Sequence, residues 1–437
     1  MIHFRFGFLL VALTFGCSGT TTEDDDSLIT DPSLPLKNPD DPQDIRTAPY
    51  RSFGIDQSGS HYTFMATQEP YPEDLRAYGS TADEPAPFPL TNGSHGAEVD
   101  SLLSADGQWV AIITYHEGKN KIILQAFGDP ENVALVHETT DSITGLAFSP
   151  EAAPKLAIMM STSNKTSIKV FSVDAQEGRL TISGRQSIDD LAFGETGLSW
   201  FKNDESIGLI TKSPSTNSPS FQWRGQNDDG TFATATRIGS DKVKRVLNKD
   251  FAVGDSAIAY IAATGGDQVR ITSESDKESP RKVSVEHEVV ILPIGNAEIA
   301  KLPSLQTTIK QVEMAGASSL LVSLGYETFD CQAAGDGWFT GTSLLFFDGV
   351  NSSKALVKIH DQGLELVTEN YCQAFQEGKA WNEQSVDLRL KEIALSPLFE
   401  DRSINMLLKS GKGEIYRLHL QWESDGLELV EGRVAFR

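Results

Sequence analysis

Leu146-Ala147-Phe148-Ser149-Pro150 and Ile393-Ala394-Leu395-Ser396-Pro397 are two copies of one phrase in a chain of 437 residues. The first leads into LAIMMSTSNKTSIKVFSVDAQEGRLTIS and the second into INMLLKSGKGEIYRLHLQWESDGLELV. Each contains an apolar strand, a polar turn, another strand and a late acidic-Gly turn. A variant is Leu103-Ser104-Ala105-Asp106-Gly107-Gln108-Trp109-Val110-Ala111-Ile112, followed by a turn over 116–120 and a strand over 121–127. A degenerate copy, Ile55-Asp56-Gln57-Ser58-Gly59, runs into Tyr62. Further copies begin near Ile188, Phe251 and Val312, which places repeat starts near residues 52, 98, 143, 188, 249, 310 and 390. From about residue 50 on, β-branched and aromatic runs alternate with Gly, Asp, Asn and Ser turns, and sustained helical stripes are scarce. Strand units that cannot bury their own faces must stack on one another. The pattern therefore predicts an all-β chain, a β-propeller of about seven blades. Six or eight stay open, because the interval before residue 390 is too wide for one plain blade.

The phrase resembles the WD-like repeat of TolB-type β-propellers, whose core reads roughly Phe-Ser-Pro-Asp-Gly-x-x-Ile-Ala-Phe. Ser/Asp-Gly makes the tight turn from an inner strand to the next, and apolar residues on both strands pack between blades. The match is good over 103–112, 146–160 and 393–408, and no copy carries a terminal Trp-Asp pair. The resemblance implies architecture for residues 49–437 and supplies no functional residues.

Ahead of this domain, residues 1–16 read MIHFRFGFLLVALTFG. Arg5 precedes an apolar run too short to span a bilayer but suited to a signal-peptide core. The junction Thr14-Phe15-Gly16-Cys17-Ser18 resembles the lipobox of bacterial lipoproteins: Gly16 and Cys17 match, while Thr14 and Phe15 depart from it. The resemblance implies an acylated Cys17 as mature N-terminus. Ser18, rather than Asp, implies sorting to the outer membrane, facing the periplasm or the cell surface. The alternative is an ordinary secretory signal, with Cys17 discarded or left free.

Residues 17–48 follow as an acidic, Pro-containing stretch without aromatics, expected to be a disordered tether. Such a segment reaches roughly 30 Å as a coil. The run Glu23–Asp26 reads as a solvated charge run rather than a calcium site.

Lys and Arg number 37 against 61 Asp and Glu, a formal net charge of -24, which argues against nucleic-acid binding. The eight histidines do not cluster. Glu286-His287-Glu288 sits beside an apolar run, but neighbours on a strand point to opposite faces, so no metal site is expected there. Gln226-Asn227-Asp228-Asp229-Gly230 lacks the spacing and distal Glu of a calcium loop and reads as a turn. His-Glu-x-x-His and Gly-x-Ser-x-Gly motifs are absent.

Cys331 and Cys372 are the other two cysteines, in an expected insertion near 326–385. They read as a structural disulfide, the alternative being two separate buried thiols. A bond closing a loop of this length contributes about 4 kcal/mol on the chain-entropy model. Trp109, Trp200, Trp223 and Trp422 read as blade packing, whereas Trp338 and Trp381, inside the cysteine segment, are candidates for a recognition surface. No catalytic residue, metal or cofactor is assigned. The sequence thus points to a lipid-anchored envelope propeller that binds a protein or glycan partner without catalysis. The alternative is a propeller hydrolase or lyase with a metal or polar site in its central channel.

Overall fold

The computed structural model describes residues 45–47, 53–68, 71–83, 86–151, 153–176, 179–202, 206–213, 220–238, 246–254, 257–263, 267–270, 281–284, 287–294, 308–315, 321–331, 338–348, 352–360, 363–368, 370–373, 390–410, 414–423 and 426–436. Strands dominate them, and they form seven antiparallel sheets in sequence order, plus one two-stranded ribbon.

Sheet one holds β1 (Ile45–Thr47), β2 (Phe53–Ile55), β3 (His61–Gln68), β4 (Tyr71–Thr81) and β5 (Phe88–Pro89). Sheet two is β6 (Ala97–Leu103), β7 (Trp109–His116), β8 (Lys119–Ala126) and β9 (Asp129–Thr139). Sheet three is β10 (Ser142–Phe148), β11 (Lys155–Ser161), β12 (Thr166–Gln176) and β13 (Arg179–Ile188). Sheet four is β14 (Thr196–Lys202), β15 (Ile207–Lys212), β16 (Phe221–Gly225) and β17 (Thr236–Ile238). Sheet five pairs β18 (Val246–Val253), β19 (Ala257–Ala263) and β22 (His287–Pro293), and the ribbon β20 (Asp267–Arg270) with β21 (Arg281–Ser284) lies between the last two in sequence. Sheet six runs β23 (Thr308–Met314), β24 (Leu321–Asp330), β25 (Trp338–Phe347), β26 (Ser352–His360) and β27 (Gly363–Val367). Sheet seven is β28 (Leu390–Leu395), β29 (Ser403–Ser410), β30 (Ile415–Glu423) and β31 (Gly426–Phe436).

Burial explains the composition of these strands. β7 is buried except for its last two residues and is apolar on two faces, and β29 is buried along its whole length, with Ile404, Met406 and Leu408 on one face and Leu407 among polar residues on the other. β9, a fourth strand, alternates exposed and half-buried residues. Sheets buried on both faces must pack between neighbours, and they do so in a ring. Leu103 of sheet two packs with Met65 of sheet one, and Trp109 of sheet two with Ile158 of sheet three. Trp200 joins sheet four to Ala147 of sheet three, and Phe221 of sheet four packs with Tyr260 of sheet five. Ile261 meets Val312 of sheet six, and Phe346 meets Trp422 of sheet seven. Leu407 and Ile415 of sheet seven then pack on Tyr62 and Phe64 of sheet one. The last apolar cluster closes the circle, and the first strands of the sheets adjoin in turn from β2 round to β28 and back. This is a β-propeller.

The repeated phrase has one structural job. Ser104, Ser149 and Ser396 follow the first strands of sheets two, three and seven. Their Oγ atoms accept hydrogen bonds from the backbone N–H of Trp109 at 2.9 Å, Lys155 at 2.8 Å and Asn405 at 2.9 Å. In sheet one Asp56 takes the place of serine, and its Oδ1 accepts from Ser60 and His61 N–H.

Three expectations about boundaries change. The fourth repeat does not begin at Ile188, which ends β13 opposite Ile168; the fourth sheet starts at Thr196. Ile188 is apolar because it packs into the seam between sheets three and four from the outer strand. The stretch 326–385 contains the end of β24 and the whole of β25, β26 and β27, so much of it is strand of the sixth sheet itself. No eighth sheet lies among the described residues. Ile45–Thr47, at the end of the stretch read as tether, pairs with Ala66–Gln68 of β3.

Candidate recognition ribbons

The register of sheet six singles out one hairpin. β23 pairs with β24 only from Leu321 to Tyr326, and β26 pairs with β25 only from Ser343 to Phe347. β24 and β25 continue beyond both neighbours through Glu327↔Gly341, Thr328↔Thr340, Phe329↔Phe339 and Asp330↔Trp338. Among the described residues these rungs form a two-stranded ribbon with no third strand alongside. Isolated hairpins are marginal in water, so a ribbon of this kind needs another tether.

Cys331, immediately after β24, supplies it. Its sulfur is bonded to Cys372 in a helical turn over 371–373, with Cα atoms 5.4 Å apart. Cys331 is buried against Leu356, Val367 and Tyr371, so the bond rests on the sixth sheet. The Tyr371 hydroxyl donates to the Lys354 carbonyl at 3.5 Å, and Lys354 Nζ lies 5.4 Å from the Tyr371 ring centre.

Sheet five extends the same connection. Its second strand β19 and third strand β22 pair up to Ala263↔His287, and between these residues the chain forms the β20–β21 ribbon, from Asp267↔Ser284 to Arg270↔Arg281. Sheets five and six are neighbours through the Ile261–Val312 cluster. Both ribbons leave from the second-to-third strand connection, so both emerge at one end of adjacent blades. In sheet two the same connection is only the turn Glu117-Gly118, with both residues at positive φ.

Several other polar groups in the described interior make hydrogen bonds that hold turns and blades in place. Asp56, 1% exposed, accepts from Ser58 Oγ at 2.6 Å and meets His61 Nδ1 at 2.9 Å. Burial raises its pKa, but these hydrogen bonds outweigh burial and hold it below the ordinary carboxylate value. A Cβ on Gly107, at φ 72°, would lie 2.6 Å from His61 Nδ1, so glycine is required where the turn of sheet two meets this pair. Ser58 donates to the aspartate rather than to the imidazole, so the three do not form a nucleophile relay. Glu98 accepts from Thr91 Oγ1 and the Ala77 N–H of sheet one. Glu195 accepts from Ala192 N–H and Thr211 Oγ1, and buried Arg224 bonds Glu195 at 3.3 Å and Asp190 at 3.2 Å. A buried arginine with these partners is a satisfied ion pair that stitches the loop before β14 to β16.

The residues singled out in the sequence distribute as follows. Trp109, Trp200 and Trp422 are buried in the seams, and Trp223 packs against one. Trp338 opens β25 on the projecting ribbon. Cys17 and Trp381 lie outside the described residues. The segment 226–230 is a turn, with Gly230 N–H donating to Asn227 O and Asp229 Oδ1 accepting from Thr231. His287 begins β22. Among the described residues no group of three or more His, Cys, Asp or Glu is placed to hold a metal ion. The β20–β21 ribbon was not expected from the sequence.

No protein-family model matches the chain, and no curated protein matches it. Among solved structures, a prolyl endopeptidase is similar with TM-score 0.48 and 12% identity, over 90% of this chain and 50% of its own. The Dos1 propeller aligns with TM-score 0.41 and 8% identity, over 89% and 85%. Apo AztD from Citrobacter koseri aligns with TM-score 0.38 and 12% identity, over 82% and 79%. The chain spans about half the length of the prolyl endopeptidase. With scores and identities this low, no activity or partner carries over.

Proposed function

We propose that this is a lipid-anchored propeller of the bacterial cell envelope. It holds a protein or glycan partner through the paired ribbons of sheets five and six and performs no catalysis. The observation that carries the reading is the β24–β25 hairpin, which runs on past its neighbouring strands and is pinned at its far end by Cys331–Cys372, together with the β20–β21 ribbon at the same connection of the adjoining sheet. Extended strands with unpaired edges offer main-chain donors and acceptors to a partner. Phe329, Trp338 and Phe339 give this hairpin the aromatic composition common at binding hot spots. A disulfide is consistent with export to an oxidising compartment, and the Gly16-Cys17 junction supplies the reason for membrane attachment.

The test uses the acylated mature chain as bait in envelope extracts. It is compared with a variant in which 327–341 is replaced by a two-residue turn and Cys372 by Ser. The proposal expects specific co-purifying material to disappear with the variant while the protein still melts cooperatively. Retention of the same material contradicts it. For the anchor, Cys17→Ser is expected to accumulate as precursor or leave the membrane fraction, and normal processing with membrane retention would refute acylation.

A further inference from the structure

The seam between sheets two and three ends in a cluster of cationic side chains that the propeller's packing does not require. His137 Nε2 on β9 and Lys169 Nζ on β12 are 2.8 Å apart. Two cations at that distance repel, so the imidazole is neutral and accepts a hydrogen bond from the ammonium. Burial first, then Lys169 and Arg185, lower the pKa of His137; burial and Arg185 lower that of Lys169. Neither Lys169 nor Arg185 has an ion-pair partner among the described residues. Of the acidic groups that act on the pair, Asp189 is taken by Lys165 at 2.7 Å, and Asp141 makes no ion pair with either.

Two irregularities create the cluster. β12 and β13 pair at Val170↔Gln186 and again at Ser172↔Ser183, which leaves Gly184 and Arg185 opposite Phe171 alone. Gly184 has φ 59°, so this is a bulge with glycine in the left-handed region, and it places Arg185 opposite Phe171, two residues from Lys169. On the facing sheet, β8 and β9 shift register between Ile122 and Ile123, at His137. The His137 ring lies 6.2 Å from that of Phe171, which belongs to the apolar seam. The site has an apolar floor at Phe171 and an outer rim where Arg185 is exposed. In a chain with 61 acidic and 37 basic residues, a lysine and an arginine brought together with no carboxylate in direct contact are uneconomical unless an anion completes the cluster.

We propose that His137, Lys169 and Arg185 form a binding site for a tetrahedral oxyanion, the phosphate or sulfate group of a ligand, in the seam between sheets two and three. Lysine supplies a point charge and arginine a planar fork. The imidazole accepts a proton as the anion binds, so binding tightens as pH falls towards the histidine range. Asp141 and Asp189 oppose the anion and limit the affinity.

The experiment is calorimetric titration of the full mature chain with inorganic phosphate, sulfate, glycerol phosphate and acetate at constant ionic strength. It is repeated for Lys169→Gln and Arg185→Gln. Saturable binding of phosphate and sulfate is expected, at least tenfold weaker in each variant, with acetate weaker than either. Tighter glycerol phosphate than phosphate assigns the site to a phosphorylated ligand, and the reverse order assigns it to the free anion. Should a variant not fold, the 2-D NMR signals of His137 in the wild type carry the test. Phosphate is expected to raise its titration midpoint. No saturable binding, equal binding by folded variants, or an unmoved His137 would overturn the site.

Discussion

Cys331 at the end of β24 is bonded to Cys372 in the turn beyond β27, a sequence separation of 41 that spans three strands of sheet six. The bond ties the far end of the β24–β25 hairpin, just past the rung Asp330↔Trp338, to the turn after β27. Removing it by Cys331→Ser with Cys372→Ser is expected to cost about 2–4 kcal/mol by the loop-closure argument, less if strain offsets the entropy. Non-reducing peptide mapping of the exported protein should recover the linked peptides. Free labelling of both thiols in the native protein would count against the bond.

The seam between sheets one and seven tests ring closure. Leu407 is 1% exposed there and packs with Tyr62 and Phe64. Arg417 of sheet seven lies 5.6 Å from the Tyr62 ring centre. Leu407→Ala is expected to cost about 2–5 kcal/mol, as for a fully packed core leucine. Ile158→Ala, in the seam between sheets two and three, should cost a similar amount in denaturant titrations. A cost below about 1 kcal/mol at Leu407 alone would mean that the ring is open at this point.

Asp56 should give stability a defined pH dependence. Its folded pKa is depressed, so its charged form stabilises the fold above the unfolded value of about 3.9. That contribution is lost as pH falls through the lower folded value. Asp56→Asn keeps acceptors for Ser60 and His61 N–H but loses the charge, at an expected cost of about 1–2 kcal/mol at pH 7. The gap between variant and wild type should narrow below about pH 4. A gap independent of pH would show that charge contributes nothing here.

The sequence made the propeller legible where a turn has a fixed chemistry. Ser149 and Ser396 each cap the start of a second strand, and such a cap must recur wherever that turn recurs. It misled at Ile188, because an apolar residue ending a fourth strand looks like one beginning a first. The disulfide was legible in Cys331 and Cys372, but the chain between them read as an insertion rather than as sheet six and its hairpin. The β20–β21 ribbon was not legible, since short polar strands carry little alternation. His137, Lys169 and Arg185 share no motif at all. Strand register and two bulges bring them together, and neither is written in local composition.

Site-specific photocrosslinking in intact envelopes tests the central claim most directly. A photoreactive residue at position 338, on the ribbon, is compared with one at position 428, an exposed site on the outer strand of sheet seven. The account predicts a discrete crosslinked species from position 338 and none from position 428. A species from position 428 only, or the same species from both, would contradict recognition through the ribbons.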